Sequence, residues 1–145
     1  MGPALDGARV RKHLEDIALT LQVLEELQST SLPDFCGDPR TRWATERGRE
    51  RCIQNVLDIA AHILNAFGRP APDDYTGLVG ELGRQGILPG DFAERIVPMA
   101  GFRNILVHRC LDVDAAIAYD ALQYRVDDFR VFARHVSEFL TINEL

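Results

Sequence analysis

The sequence predicts an all-α domain, an up-and-down bundle of four or five helices. Apolar residues recur at alternating steps of three and four along most of the chain, and no segment keeps a period of two. Gly, Pro, Ser and Asp gather between these periodic segments, where helices must stop. With 145 residues, 46% hydrophobic and 26% charged, the chain has apolar material for one core but not two, so residues 1–145 are expected to form a single helical domain.

The first element spans residues 6–28, where Val10, Leu14, Ile17, Leu21 and Leu24 make one stripe. STSLPDFCGDPR, residues 29–40, reads as a connection. A second helix runs from about Thr41 to Phe67, with Ile53, Val56, Ala60, Ile63 and Phe67 on one face before Gly68 and Pro70 end it. Asp73 and Asp74 are placed to cap a short helix reaching Arg84, and Gly86, Pro89 and Gly90 break the chain after it. Asp91 opens a helix with Phe92, Ile96, Met99 and Phe102 inward, which Pro98 is expected to bend or restart. Asp112 and Asp114 can cap a long last helix striped by Leu122, Val126, Phe129, Ala133, Val136 and Leu140. Phe132 and Phe139 add a second apolar edge there, which favours self-association.

Composition removes several function classes. No run of 18 or more residues is free of polar groups, and no apolar signal core opens the chain, so neither a membrane span nor secretion is expected. Cys36, Cys52 and Cys110 are odd in number and widely spaced, which suits a reducing cytoplasm better than a disulfide framework or a zinc knuckle. The net charge of −6 argues against a sequence-indifferent nucleic-acid coat. Lys12 is the one lysine among 16 basic residues, so the positive charge is of the planar, bidentate kind that matches phosphate. Phosphate-binding glycine loops and the short motifs of zinc proteases and serine hydrolases are absent, and His13, His62, His108 and His135 are scattered, so no metal and no cofactor are expected.

The informative segment is MAGFRNILVHRCLDVD, residues 99–114. Arg103 and His108 stand five apart, about 140° around an ideal helix; a helix ending near Val107 would let both face one site. An arginine can hold a phosphodiester bidentately and stabilise its developing charge, while a histidine moves protons near neutrality. Asn104 can orient a hydroxyl or a water. The 2′-hydroxyl of RNA supplies an internal nucleophile, so this pair suits metal-independent RNA cleavage. The competing reading is an arginine paired with a nearby aspartate and a histidine at a helix C-terminus.

GFRNILVH followed by RCLDVD resembles the signature of the HepT-like HEPN ribonucleases, R-x(4 to 6)-H in the context GFRN-x-x-x-H-x-Y. ERGRERCIQNVLDIAAHIL, residues 46–64, resembles that family's second helix, and PDDYTGLVGELGRQGIL, residues 72–88, the segment that follows it. The resemblance implies a HEPN-like endoribonuclease toxin, a homodimer that cleaves RNA where two such motifs meet, with Arg103, Asn104 and His108 as its catalytic residues. It further implies a minimal nucleotidyltransferase antitoxin that adenylylates the tyrosine two positions after the histidine. Cys110 stands at that position, and a thiol is a poor stable acceptor of AMP, which favours sequestration over modification. Cys110 also reads simply as a small apolar residue at a helix junction.

Two further groups are candidates. Asp58 and His62, at i and i+4, share a helix face and can pair, either structurally or in support of the catalytic residues. Arg40, Arg42, Arg47, Arg49 and Arg51, interrupted by Glu46 and Glu50, read as a solvated face or as an RNA or antitoxin contact. The alternative function class is a non-catalytic HEPN partner of a nucleotidyltransferase that binds nucleotide or RNA without cleaving it.

Overall fold

Seven helices and no strand make up the part of the chain that the computed structural model describes: the backbone of residues 5–68, 75–108, 115–143 and 145, and the side chains of these outside 75, 76 and 100–108. The order is α1 Gly7–Leu27, α2 Leu32–Gly37, α3 Pro39–Ala66, α4 Tyr75–Arg84, α5 Gly90–His108, α6 Ala115–Tyr124 and α7 Val126–Ile142. None of them is long and apolar enough to cross a membrane.

The all-α expectation holds, with two refinements in helix count. The 29–40 connection contains one helical turn, α2, started by Ser31, whose Oγ accepts from Asp34 N–H, and by Pro33 in its first turn. The last helical stretch divides at Arg125 into α6 and α7. Across Pro98, which has no N–H to give the carbonyl four residues back, α5 continues as one helix to His108. The expected caps Asp73, Asp74, Asp112 and Asp114 lie outside the described residues.

Local chemistry sets the helix ends. Asp6 caps α1 by accepting from Arg9 N–H at 3.1 Å. Asp38 caps α3 by accepting from Arg40 N–H and the Thr41 hydroxyl, both at 3.0 Å, with Pro39 pre-set for the first helical position. Past α3 and α4 the chain turns through Gly68 and Gly86, with φ of 69° and 77°, a conformation that favours glycine.

Helix α3 is the hub: α1 lies along it, and α4, α5, α6 and α7 all touch it. Its stripe of Ile53, Val56, Ala60, Ile63 and Leu64 is fully buried against Ile17 and Leu24 of α1 and Phe129, Phe132 and Val136 of α7. Each of these side chains larger than alanine contributes about 1.5–3 kcal/mol on leaving water. Gly48 makes the α1–α3 contact close, since a Cβ there would sit 2.8 Å from Leu24 Cδ2. A polar ladder ties the same pair: Arg51 and Asn55 donate to the two oxygens of Asp16 at 2.5 and 2.7 Å, and His13 Nδ1 lies 2.8 Å from Asn55 Oδ1. The 29–40 connection is fastened to α6, where the Tyr119 hydroxyl donates to Thr30 O and its ring meets Phe35 edge-on at 5.3 Å.

The second apolar edge assigned to the last helix does not stay open for a partner. Phe132 is fully buried in the core, and Phe139 packs edge-on against Phe67 with ring centroids 5.9 Å apart. Phe67, at the C-cap of α3, supplies the ring that covers Phe139.

Candidate functional site

Helix α5 carries Arg103, Asn104 and His108 in its last turns, with His108 its final residue. The helix runs through His108, one residue past the expected end near Val107, and at 100° per residue the two positions lie on different faces of it. Cys110 lies outside the described residues. Position 103 follows Ile96 by seven residues and Met99 by four, which places it on the stripe those two occupy.

That stripe borders a cavity of about 700 Å³ between α3, α5, α6 and α7. Ile96 and Met99 form its α5 wall. Among the described residues its polar groups are Arg49 from α3, Arg95 from α5, Asp120 from α6, Arg125 at the α6–α7 junction and Asp128 from α7, with the Tyr124 ring at the rim. Volume and lining suit a small ligand or one unit of a polymer.

Two of these charges are withdrawn from water. Arg49 is 5% exposed and Asp128 4%. Burial pushes the Arg49 guanidinium down to about 10, and the like charge of Arg125 pushes the same way while Cys52 opposes it; at neutral pH Arg49 stays charged. Asp128 is shifted up by burial against the opposing pull of Arg95 and Arg125, and Arg95 Nη2 meets its Oδ1 at 2.9 Å. A buried carboxylate held by a guanidinium fixes the cavity wall, because removing Arg95 would take the ion-pair partner from a buried charge.

The remaining candidates separate. Asp58 and His62 do not pair: the Asp58 carboxylate accepts from Gln54 Nε2 at 2.9 Å, and His62 Nε2 accepts from Asp6 N–H at 3.1 Å. Four positions apart makes a pair available, but each side chain has a nearer partner. Burial and the charges of Arg9 and His13 lower the His62 pKa, keeping the neutral acceptor form. The basic run also divides. Arg40, Arg47 and Arg51 pair with Asp38, Glu50 and Asp16 at the surface, whereas Arg49 turns inward to the cavity. Cys36 and Cys52 are free thiols, and burial raises the Cys52 pKa to about 12, which makes it inert. Among the described residues no three His, Cys, Asp or Glu side chains gather as metal ligands.

Sequence reasoning missed Arg95, Tyr124, Arg125 and Asp128, which come from three separate elements. A signal existed for two of the buried charges. Arg49 precedes Ile53 by four and Val56 by seven, in register with the core stripe, and Asp128 precedes Phe132 by four.

The fold and this site define a class: an all-α domain with an arginine-lined cavity running toward an Arg- and His-bearing helix end. Within it the chain belongs to the HepT-like ribonuclease family, whose model, Ribonuclease HepT-like, matches residues 14–136. That places it among RNA-cleaving enzymes. It is 29% identical over 133 residues, 90% of this chain and 89% of the other, to the tRNA nuclease HepT of Aphanizomenon flos-aquae. The fold superposes with a TM-score of 0.80 on a tri-AMPylated Shewanella oneidensis HEPN toxin solved in complex with an MNT antitoxin, at 19% identity over 89% of this chain and 96% of that one. It also superposes with a TM-score of 0.84 on the Bacillus subtilis cytosolic protein YutE, at 17% identity over 99% of this chain and 95% of that one.

Proposed function

We propose that this chain is an endoribonuclease toxin that cleaves RNA without a metal, using Arg103 and His108 with Asn104, at a cleft between two copies of the chain. The observation that carries the reading is the family match over residues 14–136, which includes the FRNILVH segment at the end of α5. Arg103 would bind and neutralise the scissile phosphate, Asn104 orient the 2′-hydroxyl, and His108 transfer the proton. Positions 103 and 108 face apart on one α5, so a composite site with the arginine of one copy near the histidine of the other fits a two-fold arrangement. Pairing also concentrates arginine in one groove of a chain whose net charge is −6.

The partner we propose is a minimal nucleotidyltransferase antitoxin in the cytoplasm, by analogy with the HEPN toxin solved with its MNT antitoxin. With Cys110 in place of tyrosine, the control we propose is sequestration rather than AMP transfer to position 110. The test is expression of the chain and of His108→Ala, each with and without a neighbouring nucleotidyltransferase gene product. Growth arrest with RNA fragmentation is expected only for the wild-type chain alone. Intact RNA and normal growth with the wild-type chain alone would support a non-catalytic partner instead.

A further inference from the structure

Resting on that ribonuclease reading, we propose that Asp128 of α7 is a positioning residue for RNA cleavage: through Arg95 it fixes how α5 is turned about its own axis, and with it the placement of positions 103, 104 and 108.

The construction of α5 is the first reason. Its two halves join across Pro98, where the Glu94 carbonyl has no N–H to accept from, and a proline is where a helix bends. The half that carries the candidate catalytic residues follows this weak point. Its direction therefore depends on how firmly residues 90–97 are held. On one side Ala93 packs closely on α4, where a Cβ added to Gly83 would lie 2.6 Å from the Ala93 Cβ. Toward α7 the Phe92 ring meets that of His135 at 5.5 Å, and Arg95 Nη2 meets Asp128 Oδ1 at 2.9 Å. The ion pair is the directional contact. Apolar surfaces let a helix roll, whereas a charged N–H···O bond weakens steeply once it is bent.

Energetics are the second. The Asp128 side chain is 6% exposed and that of Arg95 59%, so it is the carboxylate that is taken out of water. Burial shifts the Asp128 pKa up in spite of Arg95 and Arg125, which means that its charged form opposes folding at neutral pH. Stability does not account for a carboxylate at this place; a fixed geometry does.

The lever arm is the third. Helical side chains reach about 5–6 Å from the axis, so a group they carry moves roughly 1 Å when the helix turns by about 10°. A misplacement of about 1 Å at a reacting centre can cost about a hundredfold in rate. Arg95 and position 103 are eight residues apart, about 12 Å along the helix, so Asp128 acts through α5 and not on the scissile phosphate.

The test compares Asp128→Asn, Arg95→Gln, Arg95→Lys and the double variant Arg95→Gln with Asp128→Asn against the parent. The readouts are initial rates on a labelled oligoribonucleotide, melting temperature, and the histidine ring resonances of isotope-labelled protein. Asp128→Asn is expected to melt no lower than the parent yet to lose kcat about tenfold to a hundredfold, with KM within about threefold. Arg95→Gln should lose as much kcat and also melt lower, since it leaves the buried carboxylate without its partner. The double variant should be no slower than either single one, because both break the same contact. Arg95→Lys should restore most of the rate. Arg130→Gln, which breaks the α7 pairs with Glu25 and Asp127, should keep the parent kcat. In Asp128→Asn the His108 resonances should shift, while those of His13 and His62, bonded between α1 and α3, should stay.

If the parent cleaves RNA while Asp128→Asn keeps its kcat and its His108 resonances, or if Arg130→Gln is slowed as much, the positioning role is overturned and the ribonuclease reading stands. Losses that multiply in the double variant would likewise overturn the positioning role. A parent chain that cleaves no RNA would overturn both.

Discussion

Replacing Phe132 with alanine separates a core phenylalanine from an interface one. The side chain is fully buried on α7 among residues of α1 and α3 within a single chain. Removing it deletes a buried aromatic and leaves a void, at a cost of about 3–5 kcal/mol. For a domain of this length each kcal/mol moves the melting temperature by roughly 3–5 °C, so Phe132→Ala should melt about 10–20 °C below the parent in far-UV circular dichroism. Sedimentation at micromolar concentration should give the same oligomeric state for both proteins below their transitions. A surface phenylalanine waiting for a partner would cost no more than about 0.5 kcal/mol in the monomer. A fall of less than about 3 °C accompanied by loss of a dimer would refute the packing described for α7.

Three further outcomes are expected. Asp16→Asn removes the charge that Arg51 and Asn55 hold, and should cost about 1–3 kcal/mol at pH 7 by urea titration. Burial raises the Asp16 pKa but Asn55 and Arg51 outweigh it, so its folded value is below the ordinary one of about 3.9. Its stability is thus full above about pH 4 and lost as pH falls through the folded value; a difference between Asp16→Asn and parent that grows on acidification would contradict this. His62 has a lowered folded pKa, so its contribution is full above about pH 6.5 and lost as pH falls through the folded value, when Nε2 can no longer accept from Asp6. His62→Gln, which keeps an acceptor, should flatten the stability profile below pH 6.5, and an unchanged profile would remove His62 as its source. Finally, co-expression with a cognate nucleotidyltransferase should leave no stable AMP on Cys110 by intact-mass spectrometry, whereas Cys110→Tyr should gain it; AMP mapped to Cys110 would make the thiol an acceptor.

Helix type and order were legible because periodicity is a local property, and α1, α3 and α7 keep their stripes over more than four turns. The break at Arg125 was not, since Leu122, Val126 and Phe129 remain in phase across it and no glycine or proline marks it. The burial of Phe132 depended on α7 packing into a core shared with elements distant in sequence, α1 and α3 among them. The motif at 103–108 could be read as a string, but its neighbouring cavity could not. Arg49, Arg95, Arg125 and Asp128 come to line one cavity only when α3, α5 and α7 pack. Arg49 was readable as part of a basic run, and its register with Ile53 and Val56 carried the extra information that it turns inward.

The central claim is that the Arg103 and His108 positions perform RNA cleavage by an internal 2′-hydroxyl attack. Its most direct measurement incubates the purified chain with RNA in EDTA and identifies the ends of the products. The account predicts cleavage with 2′,3′-cyclic phosphate or 3′-phosphate ends, lowered at least about a hundredfold by Arg103→Ala and by His108→Ala, both still folded. Undiminished cleavage in both variants, or 3′-hydroxyl ends that appear only with Mg²⁺, would contradict it.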